Sequence, residues 1–306
     1  MGGQKWPAKA PFAAVGGVLG GGRGALLAFF ALLLGDEAEV AGVDDDACGL
    51  AEDADEVLAP DEVGEEEDAA HQQFPPPDEI AAALSRAALR YRKTPRKFRY
   101  YAVAKYRMDP CYRALCERIP DATQGLDLGC GLGMLAVALA ELGEGRQTLG
   151  IDWDAAKIAA GQQAAVGLWG VTLQRGDLRE QPFAPCDFIT LVDVLHYYEP
   201  AVQTQVLQRA AAALRPGGQL LIRETDPERR GAVRLTRFIE RLMVRLGWNR
   251  GPAVHYRPLA ALHAELRALG LATEQLELAG ATHPGNVLVC AHRPALWPAS
   301  RAASAS

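Results

Sequence analysis

The sequence predicts an α/β fold: a mostly parallel sheet with helices on both faces. Three observations carry that expectation. From residue 77 onward, short apolar runs alternate with helical windows, the signature of βαβ units. A glycine-rich turn closes the first of those runs, in "LDLGCGLG" (Leu126–Gly133). The last two runs, "LATEQLEL" (Leu271–Leu278) and "NVLVCAH" (Asn286–His292), are joined only by "AGATHPG", too short for a crossover helix, so that pair should be antiparallel.

Taken in order, the chain opens with a stretch unlike the rest. "ALLAFFALLL" (Ala25–Leu34) is apolar but shorter than the roughly 20 residues that span a bilayer. With Lys5, Lys9 and Arg23 ahead of it, it has the form of a signal-peptide core. An Ala/Gly/Asp/Glu stretch follows that carries too little apolar surface to fold alone. Residues 1–75 therefore read as a low-complexity acidic, disordered extension. A signal or membrane-contacting segment, and an acidic tail folding back on the body, are the other two readings. Deleting residues 1–75 is expected to leave the thermal midpoint and ligand affinity nearly unchanged in a calorimetric melt. A drop of several degrees would mean that the segment packs on the body.

"FPPPDE" (Phe74–Glu79) is a linker. Asp78–Arg90 should be helical with Asp78 as N-cap, and Arg99–Ile119 one or two helices around Pro110. The expected strands are Gly125–Leu128, Thr148–Asp152, Val171–Arg175, Phe188–Val192 and Gln219–Arg223, separated by helices over Met134–Leu142, Ala155–Val166 and Ala201–Leu214. Arg229–Trp248 reads as an amphipathic helix with Leu235, Phe238 and Leu242 on one face and Arg234, Arg237 and Arg241 on another. The organisation expected is a basic helical segment over 76–119 acting as a lid, a main domain over 120–294 with a helical insertion about 226–268, and a disordered tail over 295–306.

Charge is segregated. Residues 24–85 hold 18 acids and no Lys or Arg, whereas residues 86–306 hold 29 bases against 20 acids, a net of +9 inside a chain whose formal charge is −6. The six cysteines (Cys48, Cys111, Cys116, Cys130, Cys186, Cys290) show no CxxC or Cys/His zinc spacing, which suits reduced thiols in a cytoplasmic protein; no metal site is expected.

At the carboxyl end of the first strand of such a sheet, a glycine turn entering a helix is a ligand crevice. Glycines let the backbone approach a ligand closely, and the helix start offers free N–H groups. Two kinds of nucleotide cofactor fit the turn alone, since Gly131 to Ala136 also satisfies the G-x-G-x-x-G/A form of NAD enzymes. Three acids tip the choice. Asp127 precedes the turn, where it would repel a pyrophosphate but suit an ammonium group. Asp152 ends the second strand in "GIDWD", placed for ribose hydroxyls. Asp177 follows the third strand in "RGDLRE", placed for an exocyclic amine. A ligand with an ammonium, a ribose and an adenine is S-adenosylmethionine.

With "DFITLVDVLHYY" and "LRPGG" (Leu214–Gly218) following in order, residues from about 120 to 292 resemble a class I S-adenosylmethionine-dependent methyltransferase of the small-molecule type. The resemblance implies a Rossmann-like seven-stranded sheet with its last strand antiparallel. It implies that Asp127 and Gly129 border the methionine end of the cofactor, with Cys130 and Gly131 in the same loop. Asp152 would take the ribose, Trp153 flank the adenine, Asp177 and Leu178 line the adenine pocket, and Asp193 lie beside the sulfonium.

Methyl transfer by in-line displacement needs chiefly positioning, with a base added where the acceptor is a phenol or enol. His196, three residues after Asp193, is the first candidate base, or else a group that packs over the cofactor; His255 and Glu224 are further candidates, and His283 and His292 read as structural. For the acceptor, "RAALRYRKTPRKFRYYAVAKYR" (Arg86–Arg107), with nine bases and no acids, and the arginine face of 229–248 suit an acidic partner. An acyl carrier protein bearing an acyl or aryl group fits, as does a free small molecule such as a secondary metabolite. An anionic membrane is a further surface for a basic amphipathic helix. An RNA methyltransferase is the rival reading, disfavoured by the lack of an RNA-binding module and by "DVLH" in place of an "NPPY"-type tetrad. A non-catalytic cofactor-binding module is the other.

Overall fold

The computed structural model describes residues 74–228, 254–278 and 285–295. The expected extension through residue 73, the arginine helix over 229–248, His283 and the tail from 296 lie outside the described residues.

Helix α1 (Pro77–Arg90) starts with Pro77 in its first turn, and Asp78 and Glu79 there complement the helix dipole. The expected cap at Asp78 is corrected: the capping position is Pro76, without a side-chain bond, because proline already satisfies the first helical φ. Ile80, Ala83, Leu84 and Ala87 form its buried stripe. A short 3₁₀ turn, Tyr91–Lys93, leads to α2 (Arg96–Met108). Asp109 then breaks the helix, and its carboxylate accepts the Cys111 N–H (3.1 Å) to cap α3 (Pro110–Cys116), the division expected at Pro110.

The sheet follows: β1 (Gln124–Leu128), α4 (Met134–Glu141), β2 (Gln147–Asp152), α5 (Ala155–Ala164), β3 (Val171–Arg175), β4 (Cys186–Val192), α6 (Pro200–Ala213), β5 (Leu214–Thr225), α7 (Leu259–Ala268), β6 (Ala272–Glu277) and β7 (Asn286–His292). Its seven strands run in the order β3-β2-β1-β4-β5-β7-β6. β1 to β5 are parallel, and β7 is antiparallel to both β5 and β6. The parallel strands are apolar on both faces because both faces are covered. Along β4, Phe188 faces the layer formed by α1 to α4, while Ile189 and Leu191 face α6 and α7. The basic N-terminal segment thus enters the core: Tyr91 is fully buried, and Arg86 and Arg90 pair with Glu141. The strand order reverses between β1 and β4, the switch point at which ligands bind in open α/β sheets.

The five described cysteines are free thiols. Among the described residues no helix is long and apolar enough to cross a membrane.

Candidate active site

The site is built from the ends of β1, β2, β4 and β5. After Leu128 the chain turns through Gly129 (φ +77°) and Gly131 (φ +55°), left-handed conformations that cost a side-chain-bearing residue dearly. At Gly129 a Cβ would fall 2.3 Å from Val194 Cγ2, so the loop packs directly on the exit of β4. At Gly131 a Cβ would meet nothing nearer than Lys157 Cδ at 3.9 Å. The backbone there faces open space, as a ligand cradle requires.

Asp152 ties this loop to β2. Its Oδ2 accepts the Gly131 N–H (2.9 Å) and its Oδ1 the Asp154 N–H (2.8 Å), while Asp154 caps α5. Each carboxylate oxygen keeps a lone pair for a ligand hydroxyl. Trp153 beside it leaves 36% of its surface exposed, enough of an indole to flank a flat ring.

Asp177 is placed after β3, but Arg179 engages its carboxylate through the backbone N–H (2.9 Å) and Nε (3.0 Å) and holds its pKa below the usual range. Leu178 is buried in the core, so what it offers a ligand is backbone.

Asp127 is buried and accepts the Thr190 hydroxyl at 2.7 Å. Burial pushes its pKa up to about 7, with Asp152 adding to the rise and the Thr190 bond opposing it. A cationic ligand group must meet the ionised form. Affinity for S-adenosylmethionine should therefore grow by about tenfold per pH unit below about 7 and level off above it, with a proton released on binding. Titration calorimetry in buffers of different ionisation enthalpy checks this; flat affinity from about pH 5.5 to 8 would contradict it.

At the end of β4, Asp193 has φ +54°, rare outside glycine. Its Oδ2 accepts Arg223 Nη1 (2.7 Å) and lies 3.8 Å from Lys105 Nζ. The next turn, Leu195–Tyr197, carries His196, whose Nδ1 lies 2.9 Å from Glu224 Oε2. Both are buried, and the imidazole sits between the rings of Tyr197 (4.4 Å) and Tyr256 (5.2 Å). His255 contributes differently. Its backbone N–H donates to the His196 carbonyl (2.7 Å), and its ring is 4.0 Å from Glu199. His292 lies at the opposite end of the sheet.

The structure thus gathers Asp127, Gly129, Cys130, Gly131, Asp152 and Trp153 on one side and Asp193, His196 and Glu224 on the other. Sequence reasoning missed Lys105, Asp109 and Arg223. It also missed Tyr91 and Tyr106, whose hydroxyls donate to the Leu132 (2.9 Å) and Met134 (2.7 Å) carbonyls and buttress the glycine loop. A signal existed for one of them: Arg223 follows three apolar residues in the strand run "LLIRET", where it is the only base.

Residues 126–218 match the family described as a methyltransferase domain. Across those residues the chain carries a methyltransferase domain. The ribosomal protein L11 methyltransferase of Pelotomaculum thermopropionicum is 33% identical over 129 residues, 40% of this chain and 39% of that one. An O-methyltransferase family protein from Burkholderia thailandensis superposes with a TM-score of 0.52 at 19% identity, over 67% of this chain and 62% of that one. An O-methyltransferase family 2 protein from Planctomyces limnophilus superposes at 0.50 and 16%, over 70% and 61%. These likenesses give the methyltransferase fold, and the chain spans less than two thirds of each relative. The matched residues run from β1 into the start of β5, so they hold the glycine loop, Asp152, Asp177, Asp193 and His196 of the methyltransferase domain, but not Glu224.

Proposed function

We propose that this chain transfers the methyl group of S-adenosylmethionine to an oxygen or acidic carbon of a small molecule, free or tethered to a carrier protein. The observation that carries the reading is the buried His196–Glu224 pair, 2.9 Å apart, at the carboxyl ends of β4 and β5. S-adenosylmethionine, when bound, supplies a methyl group already activated on a sulfonium. The open cradle at Gly131, the carboxylate of Asp152 and the exposed indole of Trp153 fit its nucleoside, and Asp127 fits its ammonium group.

The chain's own part is then to hold the acceptor in line and to take its proton. Glu224 accepts the Nδ1–H of His196, which fixes the tautomer and leaves Nε2 as the basic nitrogen. A phenol or enol hydroxyl gives its proton to Nε2 as the oxygen or its conjugate carbon gains the methyl group. The O-methyltransferase family proteins that share the fold favour this class, and the Planctomyces limnophilus protein was solved in complex with apigenin. The L11 methyltransferase relative is matched over only part of its length, so its protein acceptor carries little weight.

The test is to incubate the purified chain with S-adenosylmethionine and matched phenols, 3-oxoacyl thioesters and their carrier-protein forms. Gain of one methyl on a small or tethered acceptor is expected. Methylation confined to RNA or to ribosomal protein would sink the reading.

A further inference from the structure

His196 depends on two pieces of chain. The 3₁₀ turn that carries it follows β4, and residues 254–258, which have no regular secondary structure, come up against that turn. The two are joined through the His255 N–H, which donates to the His196 carbonyl (2.7 Å). Tyr256, the next residue, sets its ring 5.2 Å from the imidazole.

Gln203 ties both pieces to α6. It stands in the first turn of that helix and is only 2% exposed. Its amide nitrogen donates to the Tyr198 carbonyl (2.9 Å) and to the His255 carbonyl (2.9 Å), one on each piece. Both partners are acceptors, so the amide nitrogen and not the oxygen faces them, and both of its hydrogens are used. Arg257 adds a second tie from the same piece, donating to Thr204 Oγ1 (3.1 Å) on α6 and pairing with Glu265. At helical spacing from Gln203, Val206, Leu207 and Ala210 continue the buried stripe of α6. An apolar residue at 203 would extend that stripe without the cost of burying an amide, so packing does not account for the glutamine.

We infer that Gln203 is a positioning residue for His196. By holding the turn after β4 and the Tyr256 segment to one helix, it fixes the imidazole between Tyr197 and Tyr256 with Nδ1 against Glu224 Oε2 (2.9 Å). A base kept in one orientation and one tautomer meets its proton without rearranging first. The inference rests on the proposed role of His196.

Nitrogen-15 NMR of the full chain reads the ring directly, with no cofactor or acceptor present. The His196 signals are identified by their loss in His196→Gln. Wild type should show one tautomer, protonated at Nδ1. Gln203→Met keeps the side-chain length but neither donor, and should give His196 averaged nitrogen shifts from mixed tautomers. The ring of His292, on β7 at the opposite end of the sheet, should keep its wild-type shifts, a contrast that general loss of packing would not produce. Gln203→Asn, a shorter amide, should shift the same signals and serves if Gln203→Met does not fold. Turnover is the second readout, with the phenols of the proposed-function test as acceptors. Gln203→Met should lower kcat by about 10–100-fold, the scale of a misplaced group, with the KM for S-adenosylmethionine little changed. In a His196→Ala background the same substitution should change kcat by less than about twofold, because residues that act as a unit are not additive. A single wild-type tautomer in the folded Gln203 variants would overturn the inference, as would equal kcat losses in the two backgrounds. If wild type methylates no phenol, or His196→Ala matches wild type, the base reading itself fails and this inference falls with it.

Discussion

Asp152→Ala is expected to weaken S-adenosylhomocysteine binding by at least about a hundredfold while the domain stays folded. The carboxylate accepts two backbone N–H groups, from Gly131 at 2.9 Å and Asp154 at 2.8 Å. Hydrogen bonds to a charged acceptor contribute roughly 1.5–3 kcal/mol each, so losing both, before any ribose contact is counted, amounts to about 3–6 kcal/mol. That energy holds a loop whose left-handed backbone is otherwise hydrogen-bonded to β2, among the described residues, by Gly129 and Cys130 to the Ile151 carbonyl. Alanine would leave both N–H groups without a carboxylate and the ligand hydroxyls without an acceptor. Asp152→Asn keeps one acceptor and should fall between. Calorimetry with a thermal melt as the folding control decides the matter. Undiminished affinity in the alanine variant, or tight binding of NADH by wild type, would refute the assignment.

His196→Ala is expected to lower kcat by about 10²–10⁴-fold on a hydroxyl acceptor, the usual range for loss of a general base. Cofactor affinity should stay near wild type, because the residues read as holding the nucleoside stand on β1 and β2 while His196 follows β4. The Glu224 contact makes the second half of the experiment informative. Glu224→Gln keeps an oxygen facing Nδ1 but removes the charge that stabilises the protonated ring, so turnover should drop to a lesser degree. A purely packing histidine, wedged between Tyr197 and Tyr256, predicts a different result: lost thermal stability with kcat preserved in the fraction that folds. Measuring S-adenosylhomocysteine release under single-turnover conditions separates the two.

Both experiments target residues that were legible in the sequence, and the reason is local. Gly129, Gly131 and Asp152 sit within a residue or two of a strand end, and hydrophobic period and glycine spacing mark strand ends directly. The hairpin of β6 and β7 was legible for the same reason, since a short loop forbids a crossover. Asp78 was misassigned as a cap because proline at the helix start competes for the same role, and propensity alone does not rank them.

The sequence by itself determined the α/β class, the carboxyl ends of the first four strands and therefore the glycine loop proposed to receive a nucleotide. These follow from periodicities of two and 3.6 residues and from backbone conformations open chiefly to glycine. Only the tertiary structure decided what the charged side chains do. Lys105 lies in a run of nine bases and reads as part of a solvated face, yet it turns inward to Asp109, four residues on. Arg223 reads as an oddity in an apolar strand, yet it joins Asp109 from 114 residues away to Asp193 at the site. Ion pairs between buried groups depend on distances across the fold, set by how α2, β4 and β5 pack, and no local pattern encodes a distance between residues so far apart in the chain.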